Sequence, residues 1–253
     1  MSLPSLPRPD SAGPEWRPPA GAVALVWTGA LVFVVSLAAF LYAYLVRFGT
    51  EAGSGSWIGP ALVDVALFSV FALHHSLFAR MRLKSRLRRA IPPPYDRSLY
   101  TWLASLLLIA VVWWWRPVPG LLYSLQGPWW WAGVALQVTG TALTAAGSRA
   151  VDVLDLAGVR PLLSARSGRP PAHVPLATTG VFQIVRHPLY LGWALLVFGA
   201  PHMTATRGVF AIVSTAYLAL AIPFEERSLG DAFGAEYEAY RRAVKWRMIP
   251  WVY

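Results

Sequence analysis

Cysteine is absent from all 253 residues, which excludes disulfides, thiolate metal sites and a cysteine nucleophile. Charge is scarce as well. Only 13% of residues are charged, against roughly 25% in soluble domains, and the 12 acids are outnumbered by 22 Lys and Arg. The N-terminus lacks the basic-then-apolar order of a cleavable signal. Residues 1–19 are proline-rich with no apolar stretch, so a disordered leader is expected there. No repeat recurs at a fixed period, and no cluster has metal-ligand spacing, so no metal is expected.

What the chain has instead is apolar length. Hydrophobic residues make up 56%, and the mean hydropathy of +0.48 is that of a membrane protein. Thirteen Trp, several near the ends of apolar runs, suit the aromatic belts of a bilayer. A crossing helix needs about 20 apolar residues. Six runs qualify, at 20–46, 57–79, 98–115, 128–148, 188–206 and 208–224, the last two forming a hairpin divided at Arg207. The expected fold class is all-α: a polytopic transmembrane bundle of about six spans, with residues 20–253 as one integral membrane domain. With the N-terminus in the cytoplasm, nineteen Lys and Arg fall inside, and Arg47, Arg116 and Arg207 fall outside. That bias places both termini in the cytoplasm. The net charge of +10 then reflects anionic lipid headgroups. The run ARMRLKSRLRR (79–89) abuts a span and reads as a headgroup clamp rather than a nucleic-acid site. The residues point to membrane lipids and to no protein partner.

Four polar constellations gather on the cytoplasmic side. The first is VRHPLYLGW (185–193). Pro188 suits the first turn of a helix, so Arg186 and His187 stand beside that helix's free N–H groups, where anions are attracted. Tyr190 and Trp193 follow at i, i+3, and Gly192 permits close approach of a backbone or a flat ligand. The plainer reading is a membrane-edge anchor. The second is PFEERSLGDAFGAEYEAYRRAVKWRMIP (223–250). Glu225 and Glu226 end the last span and need a partner at a bilayer edge, with Arg186 a natural one. Beyond them, Leu229, Phe233, Tyr237, Tyr240 and Val244 repeat at helical spacing as a cytoplasmic amphipathic segment, broken at Gly230 and Gly234. The third is FALHHSLFAR (71–80), where His74 or His75 could accept a proton, bind haem or simply hydrogen-bond within the bundle. The fourth is VDVLDLAGVR (151–160), with Asp152, Asp155 and Arg160 in a charged turn.

RHPLYLGW followed after a hairpin by EERSLGDAFGAEYEAYRRAVKWRMIP resembles the isoprenylcysteine carboxyl methyltransferase superfamily, on Arg186, His187, Pro188, Tyr190, Gly192, Glu225, Glu226, Leu229, Phe233, Gly234, Tyr237, Tyr240, Ile249 and Pro250. HHSLFARMRLK (74–84), IPPPYDRSLY (91–100), WWWRPVPG (113–120) and DLAGVRP (155–161) are similar to its bacterial methanethiol S-methyltransferase branch. The chain departs at Val153 and Leu154, where that branch has His and an aromatic residue. The resemblance implies an S-adenosyl-L-methionine-dependent methyltransferase of the bacterial plasma membrane, with 186–253 as the cofactor-binding part. It implies cofactor contacts from Arg186, His187, Pro188, Tyr190, Gly192, Glu225, Glu226, Tyr237 and Tyr240. A small or lipophilic thiol is the expected acceptor, methanethiol going to dimethyl sulfide, with His75, Glu225 and Glu226 as catalytic candidates. Open alternatives are a methyltransferase acting on a lipid amine, prenylated thiol or carboxylate, a nicotinamide-dependent membrane reductase, and a haem or quinone protein using His74 or His75.

Overall fold

The structure, a computed structural model, describes residues 20–79, 93–150, 158–167 and 175–253. The expected leader, the basic run from Arg80 on, and Asp152 and Asp155 lie outside the described residues.

Eight helices carry the described chain: α1 (Ala20–Leu45), α2 (Ile58–Ala79), α3 (Pro93–Trp114), α4 (Pro128–Ala150), α5 (Val159–Arg166), α6 (Pro188–Phe198), α7 (Ala205–Phe233) and α8 (Ala235–Ala243). Two short strands, β1 (Leu121–Ser124) and β2 (His202–Thr204), pair antiparallel. Among the described residues, three helical segments are long and apolar enough to cross a membrane: Ala20–Gly49, Ile58–Ser76 and Ala205–Phe233. α1 is apolar on every side. Leu31 is 61% exposed while Val26 is sealed, as expected of a helix whose outer face meets lipid.

The closing hairpin differs from its sequence-based expectation. α6 has only 11 residues, a rise of about 16 Å. The chain leaves the helix at Gly199, pairs as β2 and restarts at Ala205, where the Thr204 side chain accepts the Arg207 N–H at 3.2 Å. The turn is therefore not at Arg207, which lies in the first turn of α7 and is buried. Its guanidinium donates to the carbonyls of Tyr44 (2.9 Å), Leu45 (2.6 Å) and His202 (2.6 Å). Tyr44 and Leu45 end α1, where carbonyls lack helical partners. Arg47 does the same for α3, donating to Trp113 (3.3 Å) and Trp115 (3.2 Å). These two cations act as helix-end caps.

Between the ends lies an aromatic core centred on the fully buried Phe210, with Trp115 at 5.1 Å, Phe40 at 5.6 Å, and Tyr44 and Phe48 each at 5.7 Å. α4 and α6 pack through glycines. A Cβ at Gly140 would meet the Gly192 carbonyl at 2.5 Å, and one at Gly199 would meet the Leu136 side chain at 2.8 Å. Small residues of this kind let backbones touch where lipid offers no hydrophobic drive to associate.

α7 does not end at Glu225 and Glu226. It continues to Phe233, through Gly230, and breaks only at Gly234, whose φ of +52° belongs to glycine. Pro223 sits inside α7 and removes the N–H that would have met the Ala219 carbonyl. The Tyr253 hydroxyl approaches that carbonyl instead, at 3.4 Å. The tail after α8 is strapped to the entrance of α6: Arg186 N–H donates to Trp246 O (2.9 Å), and His187 N–H to Arg247 O (2.8 Å).

Candidate active site

Pro188 opens α6 at its first turn, and its fixed φ and missing N–H fit that position. Arg186 and His187 precede the helix, so their side chains turn toward the last third of α7. Arg186 is 8% exposed, and its Nε donates to Glu226 Oε1 at 2.7 Å. Its Nη1 donates to the Val244 and Lys245 carbonyls at 2.7 and 2.8 Å. From the other side, Arg247 Nε lies 3.2 Å from Glu226 Oε2. Glu226, 6% exposed, thus sits between two guanidinium groups, which offset the cost of burying its charge.

Glu225 is held differently. The Tyr190 hydroxyl donates to Oε1, and His187 Nδ1 stands 3.5 Å from Oε2. His187 also faces Glu226, with Nε2 3.5 Å from Oε1, and stacks on the Tyr190 ring at 5.4 Å. One imidazole therefore spans both carboxylates. The Glu225 side chain remains 40% exposed. It forms the border of a cavity of about 430 Å³ between α2 and α7, a volume in the range of small-molecule sites. The polar groups of this cavity are His75, Ser76, Tyr217, Glu225 and Ser228, and its other described lining residues are apolar. His75 Nδ1 is 2.7 Å from the Tyr100 hydroxyl, and Ser76 Oγ is 2.9 Å from the Tyr217 hydroxyl.

The structure brings Arg186, His187, Tyr190, Glu225 and Glu226 into one cluster, and puts His75 across the cavity that Glu225 borders. Three expected cofactor contacts lie elsewhere. Gly192 faces α4, where a Cβ would come within 2.4 Å of Thr144 Oγ1 and 2.7 Å of the Gly140 carbonyl. The close approach it permits is that of a helix, not of a ligand. Tyr237 and Tyr240 pack with Phe182 and Val244 beneath the cluster, and the Tyr240 hydroxyl donates to Phe182 O at 2.7 Å. Burial pushes both hydroxyls up to about 12, with the negative charge of Glu226 adding to the rise. They support the tail that accepts from Arg186 and offer no open ring face. Pro188 is buried and acts as a helix starter.

Tyr217 and Tyr100 were not among the expected site residues. Tyr217, Ala221 and Glu225 fall at i, i+4 and i+8, so reading 205–233 as one helix would have put them on one stripe. Tyr100 leaves no comparable signal, because its position depends on how α3 packs against α2.

The chain is similar to a methanethiol S-methyltransferase 2 of Bradyrhizobium diazoefficiens, at 37% identity over 225 residues, covering 85% of this chain and 87% of the relative. A methanethiol S-methyltransferase of Mycobacterium tuberculosis is 33% identical over 238 residues, covering 88% of this chain and 94% of that one. The chain belongs to the methanethiol S-methyltransferase family. A Nurim homolog of Drosophila pseudoobscura is more distant, at 23% identity over 178 residues, covering 68% of this chain and 70% of the relative. No family model and no solved structure matches the chain. Membership makes the chain a methyltransferase, and a methyltransferase needs a bound methyl donor. In this member of the methanethiol S-methyltransferase family, the donor set near Glu225 suits a ligand that carries positive charge. It offers an anchored, accessible carboxylate beside the Tyr190 and His187 rings, with Arg247 close by for an anionic end.

Proposed function

We propose that the protein transfers a methyl group from S-adenosylmethionine to methanethiol, giving dimethyl sulfide, in the bacterial plasma membrane. α1 to α4 cross in alternation. α6 and the buried stretch 199–204 form the fifth pass and α7 the sixth. The site then faces the cytoplasm, along with both termini, and the α8 segment lies under the bundle. Non-helical backbone at membrane depth is tolerated only inside protein, and the burial of Gly199, Ala200, Pro201, Met203 and Thr204 supports this path. The relatives' names favour a thiol acceptor over a lipid amine or carboxylate, and over reductase or haem readings.

When bound, the cofactor supplies an electrophilic methyl group on a cationic sulfur. Glu225, fixed by Tyr190 and His187, complements that positive charge. Arg247, 35% exposed, is the more accessible cation for the cofactor's carboxylate, because Arg186 is engaged by Glu226 and two carbonyls. Glu226 holds the two cations in register. A thiol must lose its proton to become a nucleophile. His75 takes it: with Nδ1–H donated to the Tyr100 oxygen, Nε2 keeps a lone pair for the proton. The apolar walls exclude water, and alignment supplies much of the rate.

The observation that carries this reading is the placement of Glu225, anchored in the Arg186–Glu226 cluster on one side and bordering the His75 cavity on the other. The test is to supply purified protein with methyl-labelled S-adenosylmethionine and methanethiol. Labelled dimethyl sulfide is expected. Its absence, from protein that binds S-adenosylhomocysteine, refutes the acceptor.

A further inference from the structure

The cavity beside Glu225 is much larger than a molecule of one carbon and one sulfur requires, at about 430 Å³. His75, Ser76, Tyr217, Glu225 and Ser228 supply the polar part, while Leu220, Ala221, Phe224 and Leu229 give α7 an apolar wall. No Lys or Arg is among the described lining residues, which leaves Arg247, outside the cavity, as the partner for the carboxylate end of the cofactor. Glu225 is where the two regions meet, which leaves the apolar wall to the acceptor.

The direction of that wall matters. Leu220 and Phe224 are spaced i, i+4 on one stripe of α7, and are 70% and 51% exposed. α7 is among the segments long and apolar enough to cross a membrane. Side chains so exposed on such a helix open the cavity toward the hydrocarbon of the bilayer. A polar niche with an acid–base pair and an apolar lip facing lipid is complementary to an amphiphile whose reactive group is small and whose tail is greasy.

We propose that the protein also S-methylates alkanethiols longer than methanethiol, with the sulfur at the His75–Glu225 end and the tail along Leu220, Ala221 and Phe224. This rests on the methyltransferase reading above. His75 accepts the thiol proton and later releases it to water. The thiolate lone pair forms the new sulfur–methyl bond as the donor's sulfonium–methyl bond breaks, its electron pair remaining on the donor sulfur. Atoms and charge balance without any further reactant.

The experiment compares methanethiol, butanethiol and hexanethiol at equal free aqueous concentration, with the purified full chain and methyl-labelled S-adenosylmethionine. A methylene moved wholly from water gains a factor of about four, and a half-buried tail about two. Over the series from methanethiol to hexanethiol, kcat/KM is therefore expected to rise at least tenfold. Ala221→Phe, which fills the apolar end, should lower the hexanethiol-to-methanethiol ratio about tenfold. Leu220→Ser, at an exposed position where misfolding is not a concern, should lower it about threefold. A second readout needs no cofactor: hexyl methyl sulfide bearing a diazirine at its tail should photolabel the 217–229 peptide. Turnover of methanethiol with a hexanethiol ratio at or below one, or photolabelling that avoids α7, overturns the inference and leaves the methanethiol reading standing. Turnover of no thiol at all overturns both.

Discussion

At the residue scale, Arg186 shows how a motif can be read correctly as a place and differently as a role. Its position beside a helix start marked it as an anion-binding group. The structure gives its donors to Glu226, Val244 and Lys245. It therefore ties together the α6 entrance, α7 and the tail. Removing it leaves a buried carboxylate with only Arg247 and the more distant His187 beside it. Arg186→Ala should cost about 3 kcal/mol of stability, read as a fall in Tm in detergent. Because the two side chains share one bond, Arg186→Ala with Glu226→Gln should cost less than the sum of the singles. His75 makes the converse point. Spacing alone does not separate the adjacent histidines near the end of the span, and His75 is the catalytic candidate in the sequence reading. The structure adds Tyr100, whose hydroxyl lies 2.7 Å from His75 Nδ1 and orients the ring. Tyr100→Phe should lower kcat roughly tenfold or more while leaving the KM for the cofactor in place. A general loss of structure would move both.

At the element scale, the helices were legible because apolar runs of about 20 residues have few other fates. Their ends were less so. Gly230 looks like a breaker, but α7 passes through it, because a single glycine costs only about 1 kcal/mol in a helix. The hairpin was placed at Arg207 because a charge inside an apolar run suggests a turn, whereas the actual break at 199–204 carries no charge beyond His202. Arg207 is tolerated inside because the end of α1 presents it with unpaired carbonyls. Gly192 was legible as a close-approach residue, but its partner was not, since nothing local names α4. Gly192→Val would drive a branched side chain into Thr144 and the Gly140 carbonyl. It should destabilise by about 3 kcal/mol, whereas a change at the exposed Gly53, with open space around it, should not. The α8 element offers a pH test. The Tyr237 and Tyr240 hydroxyls are raised by burial from 10.0 to about 12. Between those values the unfolded chain loses protons that the folded chain keeps, so stability falls as pH climbs from 10 toward 12 and is insensitive to these groups below 10. Thermal melts across that range should show the decline, and Tyr240→Phe should reduce it.

At the scale of the whole molecule, polar chemistry and polar scaffolding occupy opposite ends. Arg47, Arg207, β1 and β2 brace one end through backbone carbonyls, while Arg186, Glu225, Glu226 and His75 collect at the other. In the proposed orientation the second end faces the cytoplasm, as the positive-inside count expects, and the charged tail lies beside anionic headgroups. The absence of cysteine turns that assignment into a direct experiment, because a single introduced thiol reports without any background. Ser54 lies in the exposed turn between α1 and α2, and Glu236 is exposed on α8. In intact cells, a membrane-impermeant thiol reagent should label Ser54→Cys and spare Glu236→Cys. In inverted membrane vesicles the pattern should reverse. Labelling of both positions from one side would mean that the bundle makes an even number of passes between them, or that α8 does not lie under it, and would remove the cytoplasmic supply of cofactor on which the proposed reaction depends.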